Sequence, residues 1–143
     1  MNVFYPAIFY KEDDGGYSVV FPDLNFLSTC GDDMQEALKM AIDCLAGYVY
    51  SCKKDKEDIP APSNREEIDI AAFSQELGVD ARNAFVNIIA VDVDAYAKTH
   101  FEKSVKKTLS IPAWLNNMAM EQNINFSKVL QEALKERLGV ANM

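Results

Sequence analysis

The sequence predicts an α+β chain in two parts: a sheet-and-helix domain over residues 1–100 and a small strand-and-two-helix module over residues 104–140. Three observations lead there. Strand-like runs near the start give way, around Asp33, to apolar residues spaced for one helix face. A final segment repeats a compact pattern of one alternating strand and two amphipathic helices. The charge also changes sign along the chain, from −10 over residues 1–100 to +2 over residues 101–143. Such asymmetry points to two surfaces with different partners.

Val3 to Lys11 is rich in Val, Ile, Phe and Tyr and reads as a strand. Pro6 within it has no N–H to donate, which favours an edge position or a gap in the ladder. Glu12-Asp13-Asp14-Gly15-Gly16 forms the loop to a second strand, Tyr17 to Phe21. Pro22-Asp23 turns the chain, and Leu27 to Gly31 is a third strand. Met34, Ala37, Leu38, Ala41, Ile42, Leu45 and Val49 then mark a helix from Asp33 to Cys52. Asp33 with Glu36 resembles a capping box. Lys53 to Ser63 is a connector, Ile70 to Leu77 a short helix, Phe85 to Val93 a fourth strand completing the sheet, and Ala95 to Lys103 a linking helix.

The end of the chain is the clearest region. From Val105 to Ile111, Leu109 and Ile111 fall on one strand face and Lys106, Thr108 and Ser110 on the other. Pro112 suits a first helical position. Trp114, Leu115, Met118 and Ala119 stripe the first helix. Asn125 caps a second, striped by Phe126, Val129, Leu130, Ala133, Leu134 and Leu138, and Gly139 suits its end.

About 35 residues cannot build a core alone. Pairing the strand antiparallel with its own copy satisfies one edge and gathers four helices around a shared core of Leu109, Ile111, Trp114, Leu115, Met118, Val129, Leu130, Ala133 and Leu134. That is the ribbon-helix-helix arrangement, a homodimer. Its two-stranded ribbon presents Lys106, Thr108 and Ser110 and fits the major groove of double-stranded DNA. The start of the second helix, Phe126, Ser127 and Lys128, offers free N–H groups and a cation to a phosphate. The plain alternative is a hairpin that only dimerises the protein.

Composition narrows the rest. No apolar run approaches the roughly 20 residues that span a bilayer. The start Met1-Asn2-Val3-Phe4-Tyr5-Pro6 lacks the marks of a signal peptide. A cytoplasmic chain without a membrane partner is expected. Cys30, Cys44 and Cys52 form no CxxC pair and read as reduced, mostly buried thiols; Cys44 and Cys52 can share a helix face. His100 is the only histidine, a poor start for a zinc site. No cofactor or metal is expected.

Tyr5-Pro6-Ala7, Gly15-Gly16-Tyr17, Phe21-Pro22-Asp23-Leu24, Thr29, Gly31-Asp32, Glu36-Ala37-Leu38 and Ile59-Pro60-Ala61-Pro62-Ser63 occur in the order seen in HicB-type antitoxins. The resemblance covers nearly the full chain, least clearly residues 64–82. It departs at Asn25-Phe26-Leu27, where many members carry a Pro-Gly-Cys-like turn. The resemblance implies a degenerate RNase H-like domain without catalysis. That domain would bind a small basic HicA-type toxin, an mRNA-cleaving ribonuclease, and mask its catalytic surface. The terminal dimer would bind operator DNA and repress the shared operon, with the toxin joining a higher-order assembly. Glu12, Asp13 and Asp14, on one exposed loop, are the candidate toxin contacts; a solvated turn is the plainer reading of them.

Two other readings compete. Asp13, Asp14, Asp23, Asp32 and Asp33 supply carboxylates for a metal-dependent nuclease, but all lie where loops or helix starts favour them. A stand-alone repressor with a ligand-sensing first domain would need a convergent polar pocket, and no phosphate loop or such set appears.

Overall fold

The computed structural model describes residues 1–140. It divides into two compact units, Met1–Lys103 and the remainder from Ser104. The first unit is a four-stranded antiparallel sheet. Its strands are β1 (Asn2–Lys11), β2 (Tyr17–Phe21), β3 (Leu27–Gly31) and β4 (Phe85–Asp92), in the order β3-β2-β1-β4. The helices of this unit are α1 (Met34–Asp55), α2 (Ile70–Leu77) and α3 (Val93–His100). The last strand of the sequence does return to the sheet, pairing with β1 from Asn2↔Asp92 to Phe9↔Phe85.

The strand β1 explains the layering. Tyr5 to Tyr10 are six consecutive buried residues, so both faces of this strand are covered. Tyr5, Ala7 and Phe9 face one core with Val19, Phe21 and Ile89, closed by Ala37, Ala41, Leu45 and Val49 of α1. Ile8 and Tyr10 face a second core with Val20 and Val86, closed by Ile70, Phe73 and Leu77 of α2. Pro6 sits in an inner strand, not at an edge. The ladder to β2 begins only at Ile8, however, so the missing N–H falls in a gap.

Local chemistry sets the ends of α1. The Asp33 carboxylate accepts from the Glu36 N–H at 2.8 Å. Glu36 reaches back to the Asp32 N–H, also at 2.8 Å, one residue earlier than the standard capping box. The helix runs past Cys52 to Asp55 and stops at Lys56, which takes the left-handed conformation at φ 57°. Gly31 is required where β3 meets α1: a Cβ there would lie 2.3 Å from the Ala37 nitrogen. Asp92 ends β4 and caps α3 through the Ala95 N–H, so this helix starts at Val93 rather than Ala95. Tyr96 anchors α3 by donating to the Asp43 carboxylate at 2.8 Å. Burial, then this bond, pushes the Tyr96 phenol up to about 12.

The connector must carry the chain from the α1 face to the α2 face. It is held by two clamps. The Tyr5 hydroxyl donates to the Pro60 carbonyl. The Asp23 carboxylate accepts from the Ser63 N–H at 2.8 Å and the Ser63 hydroxyl at 2.6 Å. Asp69 then caps α2 through the Ala72 N–H, and Gly78 closes it at φ 71°. Ser74, on the buried face of α2, is satisfied by the Tyr10 hydroxyl at 2.8 Å.

The cysteines are free, but they are less buried than expected. Cys52 is buried and Cys44 half-buried, whereas Cys30 is exposed. Cys30 lies on edge strand β3, where Leu27, Thr29 and Gly31 alternate toward α1 and Cys30 turns away.

The second unit holds α4 (Ala113–Glu121) and α5 (Phe126–Leu138). Residues 102–112, expected to be strand from Val105 to Ile111, carry neither helix nor strand. A ladder needs a second strand, and none of the described residues supplies one. Pro112 is the cap residue, φ −57° and ψ 140°, and not the first helical residue. Asn125 caps α5 by accepting from the Lys128 N–H, and Gly139 ends it at φ 73°.

Replacing Asp23 with Ala should strand both Ser63 donors. The expected cost is about 1–3 kcal/mol, read as a lower denaturation midpoint of the first unit. An unchanged midpoint would show that the clamp contributes nothing.

Candidate functional site

Among its described residues the second unit is an exposed apolar surface with no core of its own. Between residues 102 and 139 no residue is buried, and only Asn116 and Ala119 are even partly covered. Trp114 is 64% exposed, Met118 53%, Val129 50% and Leu134 50%. Leu109, Ile111, Leu115 and Leu130 are exposed as well, and so is Ala133. Every side chain assigned to the shared core is therefore open in a single chain. The apolar spacing and the caps position these side chains; burial does not. A helix of 9 residues and one of 13 are at or below the length that is marginal in water. Such helices need packing from outside the unit.

The candidate DNA contacts are exposed too. Lys106, Thr108 and Ser110 lie in the segment before α4. At the start of α5 the geometry is narrower than expected. The Asn125 side chain occupies the Lys128 N–H at 3.0 Å, so Lys128 contributes its ammonium and not its amide. The N–H groups pointing out of the helix end are those of Phe126 and Ser127.

In the first unit, the loop Glu12–Asp14 joins β1 to β2. Two of its three carboxylates serve the hairpin: Glu12 accepts from the Ser18 hydroxyl at 2.6 Å and Asp14 from the Gly16 N–H at 2.9 Å. Three of the five carboxylates considered for a nuclease have local tasks as well. Asp14 closes this turn, Asp23 clamps the connector and Asp33 caps α1. His100 lies flat on Tyr96, ring centroids 3.8 Å apart, with Nδ1 3.0 Å from the Tyr96 carbonyl.

One surface was missed in the sequence: a groove of about 280 Å³ between the turn after β2 and the start of α2, lined by Pro22, Ile68 and Phe73 with Glu67, Asp69 and Glu76. No periodicity marks it, because its walls come from two loops and one helix face distant in sequence.

The comparisons place this four-stranded antiparallel sheet backed by helices among antitoxins. Residues 4–73 match the family described as HicB_like antitoxin of bacterial toxin-antitoxin system. The chain belongs to this HicB-like family. It is 37% identical over 71 residues to Antitoxin HicB 1 of Photorhabdus laumondii, covering 48% of this chain and 46% of that protein. The matched region thus spans about half the length of that curated relative. A chain of a toxin-antitoxin complex from Streptococcus pneumoniae is 30% identical, with a TM-score of 0.63 over 96% of this chain and 99% of that one. The N-terminal domain of Burkholderia pseudomallei antitoxin HicB shares the fold, with a TM-score of 0.50 and 23% identity over 63% of this chain and 99% of that one. Among the described residues, no helix is long and apolar enough to cross a membrane.

A charge placed in the exposed stripe tests whether a second copy covers it. Leu130→Asp should abolish a dimer, lowering the mass measured by light scattering to that of one chain. A dimer of unchanged mass would rule out this surface as the interface.

Proposed function

We propose that the chain is an antitoxin. It binds and neutralises a small HicA-type mRNA-cleaving ribonuclease, and through a terminal ribbon-helix-helix homodimer it binds operator DNA and represses its own operon. The observation that carries the second half is the fully uncovered apolar stripe of residues 109–134 beside a small polar set, Lys106, Thr108 and Ser110. A second copy pairing with the 105–111 segment would bury the stripe and turn the polar set outward as a ribbon for the major groove. Phe126, Ser127 and Lys128 would then take a backbone phosphate.

The toxin half of the reading draws on family membership and on charge. A first domain carrying −10 is suited to a basic, RNA-binding protein and is steered toward it. The first domain serves here as a degenerate RNase H-like binding module whose carboxylates hold turns and caps. The exposed hairpin residues Glu12, Asp13 and Asp14 remain candidate contacts, Asp13 being the one without a task in the turn. The chain works in the cytoplasm, where both partners are found.

Two assays separate the halves. Co-expression of this chain with a small basic HicA-type ribonuclease should restore growth that the ribonuclease alone arrests. Lys106→Ala and Thr108→Ala should each weaken operator binding by about 1–3 kcal/mol, measured by gel shift at fixed salt, while growth rescue persists. Loss of rescue with either variant would contradict independent modules.

A further inference from the structure

The groove beside α2 combines three features, and of its carboxylates Asp69 caps α2 and Glu67 accepts from the Asn64 amide, which leaves Glu76 outside turn and cap chemistry. Its walls are apolar, with Pro22 and Ile68 exposed enough to line it and Phe73 at its side. Its remaining charged lining is acidic only: Glu67, Asp69 and Glu76, without Lys or Arg. Beside it stands Phe26, 42% exposed although its ring stacks on Phe73 at 5.3 Å.

Phe26 is held there at a conformational cost. Asn25 and Phe26 both have positive φ, 55° and 63°. Asn tolerates this region; a bulky aromatic rarely adopts it. Strain of this kind persists where surrounding structure imposes it, and it clusters at binding sites. Here the turn leaves a large aromatic part-exposed against Phe73, one wall of the acidic groove, instead of burying it.

We infer that this groove is the docking surface for the basic partner protein, taking an apolar side chain against Pro22, Ile68 and Phe26 while Glu67 and Glu76 pair with flanking Lys or Arg. The inference rests on the antitoxin reading and adds its location. Charge complementarity selects the occupant: an acidic rim on a domain of −10 repels nucleic acid and acidic proteins and attracts a basic one. An aromatic in a partly open pocket, ringed by charge, is also the composition of an interface anchor. The hairpin loop Glu12–Gly16 fits less well, because it has no apolar side chain against which one of the partner's could seat.

The test uses the full chain and a purified HicA-type protein from the same genome, with affinity measured by titration calorimetry. Glu76→Lys, on the exposed side of α2, should weaken binding by about tenfold or more by placing like charge against the partner. Phe26→Asn keeps a residue that tolerates positive φ and should weaken binding comparably through loss of the ring. Asp13→Lys in the hairpin should change affinity less than either. Thermal midpoints near the parent value confirm that the variants stay folded. Parent-like affinity in both groove variants, with binding by the parent chain intact, overturns the groove and leaves the antitoxin reading standing. No binding by the parent chain overturns both.

Discussion

The fold depends on carrying the chain from one face of its sheet to the other and holding it there. The residues Tyr5–Tyr10 are apolar or aromatic at every position, so β1 cannot tolerate water on either side. α1 alone covers one face. Without α2, Ile8, Tyr10, Val20 and Val86 would be exposed, at about 1.5–3 kcal/mol for each large side chain. The Asp23–Ser63 and Tyr5–Pro60 clamps fix the crossing. They also fix the groove, since Ile68 and Phe73 reach it only when the connector is in place.

The second unit follows the opposite rule. Its caps are good, with Asn125 and Gly139 each in the geometry their positions require, yet its helices bury nothing. Capping contributes about 1 kcal/mol per site, which cannot replace a core. The local code is therefore complete while the tertiary code is deferred to another surface. Under the proposed homodimer, the stability of this unit would be tied to concentration, because association and folding would become one equilibrium.

Much of this was legible in the sequence. β2, β3 and α2 fall where alternation, turn residues and a short apolar run place them, since these signals are local. The return of Phe85–Asp92 to the sheet was readable from its Val and Ile content. Other features were not. The described residues have no strand at 105–111, because a strand needs another to pair with and none of them supplies one. Cys30 is exposed because edge position is set by sheet order, which sequence spacing does not encode. Gly31 reads as the end of a strand; that it must be glycine follows only from how closely α1 approaches. Asp23 and Ser63 were visible as motif residues, but their bond spans 40 positions. The groove was unreadable for the same reason, its walls converging from separate segments.

Charge gives the two units a common logic under the proposed reading. A terminal segment of +2 is weak for DNA, whose affinity grows with the number of phosphates neutralised. Dimerisation doubles the cations and fixes their spacing, which suits a protein that relies on geometry more than on charge. Each copy also brings an acidic domain of −10, whose field opposes DNA within a Debye length of about 8–10 Å. A basic partner seated on that domain would cancel part of the opposing field. Partner occupancy and DNA affinity would then be linked, and any such linkage must act equally in both directions. Because the linking term is electrostatic, it should fade as salt rises, whereas coupling through a change of shape would persist.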